Sequence, residues 1–149
     1  ISRVMSLRDG LKKMSKSDES SYSRIDLKDS KDEIVKKIKK AKTDSMSIPD
    51  NLKELETKPE ALNLINIYSD LIGKSSDKVL DDIKGKEYSF LKNKLTEVLI
   101  EKICPIGIEI KKLMNERKYL EEILKEGSKK ARFIADHNLK EIKNIIGFF

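Results

Sequence analysis

Helical spacing of apolar residues dominates the chain from residue 30 to its C-terminus, and this pattern limits the fold more than any other feature. The first helix is predicted to begin at Ser30, because Ser30-Lys31-Asp32-Glu33 has the form of a capping box. Its apolar stripe is Ile34, Val35, Ile38 and Ala41, and it ends near residues 43–45. The polar connection that follows includes Pro49-Asp50-Asn51.

Further helices follow at intervals set by proline and glycine. Pro59 suits the first turn of a helix that Gly73 ends, and a short helix is predicted from about 76 to 83. From Ser89 to Met114 the pattern predicts one helix kinked at Pro105. The last two helices are expected at about 119–125 and 128–146. The fold predicted for residues 30–149 is therefore an all-α helical bundle.

Residues 1–29 have a different pattern. The short apolar run Ile1–Leu7 is typical of a strand, and Arg8-Asp9-Gly10 is typical of a turn. Ser23–Leu27 alternates polar and apolar residues, as in an extended connector. No partner strand is predicted downstream, and the chain begins with Ile1, so we expect it to be a fragment of a longer protein.

The loop after this turn carries the clearest chemical signal in the sequence. Lys13-Met14-Ser15-Lys16-Ser17 places two ammonium groups and two hydroxyls on one short segment, which is an arrangement suited to polyphosphate. A chain rich in lysine and serine can also produce this pentapeptide by coincidence. A helical RNA-binding or interaction module with a coincidental loop is therefore the non-enzyme alternative.

The segment from Arg3 to Asp18 resembles the second signature motif of the class I tryptophanyl-tRNA synthetases of bacteria and organelles. Further stretches follow in that family's order and spacing, so the resemblance extends over essentially all 149 residues; they are Ala41–Ser45, Asn63–Tyr68, Gly85–Tyr88 and Glu126-Gly127 with Ala131. The tyrosyl enzymes share the loop but lack the Arg3–Leu7 stretch and the Thr43-Asp44-Ser45 motif. Gly10-Leu11 departs from the family, which usually has proline and a small polar residue there.

The resemblance implies a domain organisation and a reaction. Residues 1–29 would be the remnant of a truncated Rossmann-like nucleotide-binding catalytic domain, and residues 30–149 the helical domain that binds the tRNA anticodon. The complete enzyme would activate tryptophan with ATP and transfer it to tRNA(Trp) in the cytoplasm. The resemblance also implies a homodimer for the complete enzyme, whereas the fragment would be a monomer. Because the first signature motif and the amino-acid pocket are missing, the fragment alone should be inactive.

Site residues are implied by the same resemblance. Lys13 and Lys16 would be catalytic, and the ATP-binding residues would be Val4, Lys13, Met14, Ser15, Lys16 and Ser17. Mg²⁺ would arrive bound through the ATP phosphates. Lys12 is expected to be exposed and uninvolved. The glycine at position 10 is expected to loosen the loop, so Gly10→Pro should tighten ATP binding, provided that φ is near −65°.

The net charge of +6 indicates an anionic partner, although only five of the 32 basic residues are arginine, a bias that AT-rich codons also produce. Candidate tRNA contacts on polar helix faces are Lys36, Lys37, Lys40, Arg117, Lys129, Lys130 and Arg132. Cys104 and His137 are each alone, so no metal site is proposed. No apolar run approaches the roughly 20 residues that cross a bilayer, so no membrane partner is expected.

Overall fold

The computed structural model describes residues 3–148, and its regular structure is helical. A short 3₁₀ turn at Ser21–Ser23 precedes the α-helices. In chain order these are α1 (Lys31–Lys39), α2 (Leu52–Glu56), α3 (Pro59–Ile72), α4 (Ser76–Ile83), α5 (Tyr88–Asn115) and α6 (Arg117–Ile146). The all-α class predicted for residues 30–149 is confirmed over residues 30–148.

Local signals at the helix ends have the predicted geometry. Ser30 Oγ accepts the backbone N–H of Glu33 at 3.3 Å, and the Glu33 carboxylate accepts the Ser30 N–H at 2.7 Å, which completes the capping box. Pro59 is the first residue of α3, where its missing N–H leaves no helical bond unmade. Gly73 ends α3 with a φ of 69°, a left-handed conformation that glycine adopts without steric cost.

One helix was not predicted, and one helix prediction was wrong. The short helix α2 begins directly after the predicted connection at 49–51, and Asn51 caps it by accepting the Glu54 N–H at 3.0 Å. The two helices expected at 119–125 and 128–146 are the single helix α6, which continues through Gly127. A glycine within a helix costs about 1 kcal/mol relative to alanine but does not have to end it.

The predicted N-terminal strand is not found among the described residues. Residues 1 and 2 lie outside the described part of the chain. In residues 3–148, β structure is limited to one isolated antiparallel bridge between Met5 and Lys13. A strand needs a neighbouring strand to bond its backbone, and the helices that follow supply none. The expected Rossmann-like remnant is likewise not shown.

The chain forms two compact units, Ile1–Ile108 and Glu109–Phe149. The core of the first unit brings together side chains from helices α1 to α5 and from the loops between them, including Ile34, Ile38, Leu55, Ile65 and Leu91. Leu7 of the N-terminal segment is 2% exposed and belongs to the same cluster. Because of this packing, the described residues before 30 are part of the same compact unit as these helices. The family-based boundary at 29/30 stays a prediction.

The second unit contains the end of α5 and the whole of α6. None of the residues of α6 is buried. Most of its apolar side chains are accordingly exposed, with Ile134 at 62% and Ile145 at 83%. Within residues 3–148, no helix is long and apolar enough to cross a membrane.

Candidate phosphate-binding loop

The lysine-serine loop emerges from a short hairpin. Ser6 N–H donates to the Lys12 carbonyl at 2.8 Å, and Met14 N–H donates to the Val4 carbonyl at 3.0 Å. The turn is closed by Lys12 N–H, which donates to the Asp9 carbonyl at 3.1 Å. These bonds place Val4 beside Met14 and fix the backbone on either side of Lys13. The backbone position of Lys13, the first lysine of the motif, is therefore fixed.

The tip of the loop is polar and open to solvent. Lys13, Ser15, Lys16 and Ser17 are all exposed. The two hydroxyls lie 2.9 Å apart, and Ser17 N–H donates to Ser15 Oγ at 3.3 Å, so the serines form a compact turn. No ion pair within residues 3–148 engages Lys13 or Lys16, whereas Lys12 pairs with Asp9 at 3.6 Å. The tip thus presents two ammonium groups and two hydroxyls to an anion.

The base of the hairpin is attached to α3 and to the residues that directly follow α1. Asn63 on α3 accepts Met5 N–H at 3.0 Å and donates to the Met5 carbonyl at 2.9 Å. Lys42 N–H donates to the Leu7 carbonyl at 2.8 Å, and the Arg8 guanidinium donates to the Lys40 carbonyl at 2.5 Å. The connector also takes part, because Leu7 N–H donates to the Ser23 carbonyl at 2.8 Å. Sequence reasoning missed these contacts, since they join residues far apart in the chain.

The structure corrects the prediction for Gly10. This residue is buried, and its α-carbon lies against the backbone of Pro59 and Glu60 at the start of α3. A β-carbon at Gly10 would overlap the carbonyl carbon of Pro59 and lie 2.6 Å from its oxygen. Proline also has a β-carbon, so Gly10→Pro would push the loop away from α3. Close packing explains this glycine better than freedom of the loop.

Glu60 supplies a charged contact at the same place. Its carboxylate pairs with Lys42 Nζ at 2.7 Å, and the backbone N–H of Gly10 makes a smaller contribution to its low pKa. The hydrogen bond from Lys42, opposed by partial burial, lowers the pKa of Glu60, and the same bond raises the pKa of Lys42. Glu60 therefore stays ionised in its pair with Lys42, beside the turn of the hairpin.

The segment after the loop is attached by a buried ion pair. Lys37 on α1 is 5% exposed, and its ammonium lies 2.6 and 2.8 Å from the two carboxylate oxygens of Asp29. It also lies 3.4 Å from Asp26, which pairs with Arg24 at 3.2 Å. Arg24 in turn donates to the Asp18 carbonyl at 3.0 Å, next to the motif. The position of Lys37 corrects its assignment as a tRNA contact, because its charge is already used inside the protein.

The remaining candidate tRNA contacts are exposed and fall in both units. Lys36 and Lys40 are in the first unit, and the Lys40 ammonium lies 4.2 Å from the centre of the Tyr22 ring. On α6, Lys129 and Arg132 share one face because they are three residues apart. The rest of this set is also on α6, namely Arg117 and Lys130, the latter paired with Glu126 at 2.6 Å.

A polar cavity of about 580 Å³ lies elsewhere in the first unit, between the segment at 43–47 and the first turns of α5. Lys92 lines it and donates to the Ala41 carbonyl at 2.7 Å, and burial lowers the pKa of this lysine. Asp44 also lines it; burial raises the pKa of this carboxyl, but the pair with Lys58 at 2.8 Å and the hydrogen bond from Met46 N–H together lower it below its ordinary value. The Thr43-Asp44-Ser45 motif is therefore part of this wall.

Comparison with known proteins identifies the class to which this fold and loop belong. The family model described as tRNA synthetases class I (W and Y) matches residues 1–103, so the chain belongs to that family. The chain is 45% identical to the tryptophan–tRNA ligase of Caulobacter vibrioides over 99% of its own length. It is 47% identical to the corresponding Rickettsia felis enzyme over 98% of its length.

Solved structures lead to the same group. The chain superposes on tryptophanyl-tRNA synthetase from Mycoplasma pneumoniae with a TM-score of 0.72 and 29% identity, covering 99% of this chain and 46% of that one. For the Campylobacter jejuni enzyme the TM-score is 0.70 at 27% identity, with coverage of 97% and 43%. The relatives are longer, because the chain spans 43% of the Caulobacter protein and 44% of the Rickettsia protein. The resemblance seen in the sequence is thereby confirmed, and the non-enzyme alternative is not favoured.

Proposed function

We propose that this chain acts as the C-terminal part of a tryptophan–tRNA ligase, in which its lysine-serine loop binds the phosphates of ATP. The observation that carries the proposal is the exposed tip from Lys13 to Ser17 on a base held by buried contacts. Similarity to tryptophan–tRNA ligases over 99% of the chain supports it. The complete enzyme would join tryptophan to tRNA(Trp) in the cytoplasm, as a homodimer.

The chemistry of the loop would be electrostatic. In amino-acid activation the carboxylate attacks the α-phosphorus of ATP, and negative charge grows on the departing pyrophosphate. Lys13 and Lys16 would neutralise that charge, while Ser15 and Ser17 would donate hydroxyl hydrogen bonds to phosphate oxygens. Their contribution would be largest in the transition state, where the phosphate oxygens are most negative. Mg²⁺ would enter as part of the nucleotide substrate, held by its phosphates.

The adenine would rest on the base of the hairpin. Val4 is 38% exposed and Met14 is half-buried, and a hydrogen bond of 3.0 Å joins their backbones. Their neighbouring side chains thus offer an apolar surface beside the polar tip. A nucleotide could lie with its base on Val4 and Met14 and its phosphates at the lysines. Tryptophan would bind to the part of the complete enzyme that corresponds to the segment of the longer relatives outside this chain.

Nucleotide binding can be tested on this chain with ATP and inorganic tripolyphosphate, measured by calorimetry. Lys16→Ala and Lys13→Ala should each weaken binding, whereas Lys12→Ala should change it less than twofold, because Lys12 already pairs with Asp9. Lys12 is a matched control of the same type on the same loop. Equal losses in all three variants would show only a general effect of positive charge and would contradict the proposal.

Catalysis can be tested in a chimera, in which this chain replaces the matching part of the Caulobacter enzyme. There Lys16→Ala should slow adenylate formation by a factor of about 10²–10³, the scale of one lost transition-state contact, without weakening tryptophan binding. The isolated chain should not exchange pyrophosphate with ATP. Exchange above a blank without protein, using the pure chain, would contradict the proposal that most of the active site lies elsewhere.

The helices would contact tRNA through Lys36, Lys40, Arg117, Lys129, Lys130 and Arg132. Lysine-rich faces bind nucleic acid by displacing counterions, so affinity should fall steeply as salt increases. Fluorescence anisotropy at several salt concentrations should detect this binding. Lys36→Ala should reduce the salt slope, whereas Arg132→Ala will show whether its guanidinium also stacks on a base. A chain that binds no tRNA at low salt would show that its basic charge is not a binding surface.

A further inference from the structure

The backbone N–H and carbonyl of Met5 are not bonded within the hairpin. In the bridge between Met5 and Lys13, the hairpin bonds are made by the flanking residues 4, 6, 12 and 14. The N–H and carbonyl of Met5 itself therefore point away from Lys13, on the opposite side of the backbone. In a sheet, the next strand would bond them. Here no strand among the described residues does so.

The side chain of Asn63 replaces that strand. Its Oδ1 accepts Met5 N–H at 3.0 Å, and its Nδ2 donates to the Met5 carbonyl at 2.9 Å and to the Ser6 carbonyl at 3.4 Å. An amide side chain carries both an acceptor and two donors, so it can reproduce the pair of bonds that a strand residue makes. Asn63 is 4% exposed, which means that water cannot easily take its place.

We propose that Asn63 is a positioning residue for the phosphate-binding loop, an inference that rests on the function proposed above. The first two turns of α3 act as a platform: Asn63 bonds the backbone of Met5, and the backbone of Pro59 and Glu60 packs against Gly10 at the other end of the hairpin. Because Met5 is bonded to α3 and its neighbours are bonded to residues 12 and 14, the placement of Lys13 depends on Asn63. The loop tip then extends from a backbone segment whose position is fixed by these bonds.

Hydrogen exchange on the chain as it stands tests this role without reference to catalysis. Asn63→Ala should speed the amide exchange of Met5 and Met14 roughly tenfold or more, the effect of losing about 1.4 kcal/mol of hydrogen bonding. Asn66→Ala is the control, since Asn66 is an asparagine on the same helix that is half-buried and accepts the Ser76 hydroxyl at 2.8 Å, away from the loop. In Asn66→Ala the two amides should exchange within about twofold of the parent chain.

Tripolyphosphate affinity provides the second readout. Asn63→Ala should weaken binding about tenfold and Asn66→Ala less than twofold, although both remove side-chain hydrogen bonds of α3. If Asn63→Ala does not fold, Asn63→Asp keeps the side-chain volume and the acceptor for Met5 N–H. Its carboxylate has no donor for the Met5 carbonyl, so it should give the same two changes.

Two results would overturn the inference: exchange at Met5 and Met14 equal in the Asn63 and Asn66 variants, or tripolyphosphate affinity unchanged by the Asn63 substitutions. A parent chain that does not bind tripolyphosphate would instead remove support for the proposed function. The exchange rates would then decide the positioning role by themselves, so failure of the two proposals can be told apart.

Discussion

Replacing Lys37 should destabilise the first unit far more than replacing its neighbour Lys36. Lys37→Met keeps most of the side-chain volume and removes the ammonium that lies 2.6 and 2.8 Å from the two oxygens of Asp29. The side chains of Lys37 and Asp29 are 6% and 8% exposed, so little solvent can replace the lost partner. Lys36 is exposed on the same helix, which makes Lys36→Met the control.

The expected magnitude follows from the burial of the pair. Removing one member of a buried ion pair costs about 3–5 kcal/mol, because the other charge stays buried without compensation. The upper part of this range does not apply, since Asp29 also accepts Asp26 N–H at 2.8 Å and keeps that partner. We therefore expect a loss of about 3 kcal/mol for Lys37→Met and less than about 0.5 kcal/mol for Lys36→Met.

Urea unfolding followed by far-ultraviolet circular dichroism measures both values. The slope of the free energy of unfolding with urea concentration should be the same in all variants. A third variant isolates the cause. In Lys37→Met/Asp29→Asn the uncompensated charge is gone while the acceptor for Asp26 N–H remains, so about 1–2 kcal/mol of the loss should be regained. A cost below about 1 kcal/mol for Lys37→Met, or no recovery in the double variant, would refute the argument.

Three further predictions concern the contacts around the loop. Gly10→Ala should destabilise the chain by about 1–3 kcal/mol in urea unfolding, because its β-carbon overlaps the Pro59 backbone; Gly127→Ala, which meets no atom within 4 Å, should be neutral or stabilising. Glu60 has a lowered folded-state pKa, so its stabilising contact is present above the ordinary value of 4.5 and is lost as pH falls through the folded value; Glu60→Gln should flatten this dependence in acid titrations followed by circular dichroism. Tyr88→Phe should leave the free energy of unfolding in urea unchanged or raise it by up to about 1 kcal/mol. The reason is that the Tyr88 hydroxyl is buried without a hydrogen-bond partner among the described residues, and burial raises its pKa to about 12.

The parts of the fold that could be predicted from sequence are those fixed by neighbouring residues. The Ser30 capping box, Pro59 at the start of α3 and Gly73 at its end each act within one helical turn, so a single sequence contains the whole cause. The loop motif was found for the same reason, since its lysines and serines are contiguous. Its base was not predictable, because Asn63 meets Met5 across 58 residues.

Lys37 and Gly10 show why two predictions about individual residues were wrong. Lys37 flanks the apolar stripe of α1, and helical spacing alone cannot show that Asp29 lies over it. Gly10 departs from the family at a position where only the approach of Pro59 reveals what glycine does. One signal was present in the sequence: Asn63 is a polar residue between Leu62 and Leu64, in a segment otherwise buried. A buried amide needs partners, and here they are in the hairpin.

The distribution of contacts divides the loop into a fixed base and a tip that can respond to a ligand. Residues 4–14 are attached through Asn63, Glu60 and Lys42, whereas Ser15 and Ser17 bond only locally, to each other. In the proposed function the loop would close over ATP by bending where such attachments end, which is between Met14 and Asp18, whose carbonyl accepts a hydrogen bond from Arg24. Lys13 would then stay close to its present position, while Lys16 would make most of the movement. On this proposal the two lysines of the motif differ in timing, because Lys13 would be placed before ATP binds and Lys16 would reach the phosphates on closure.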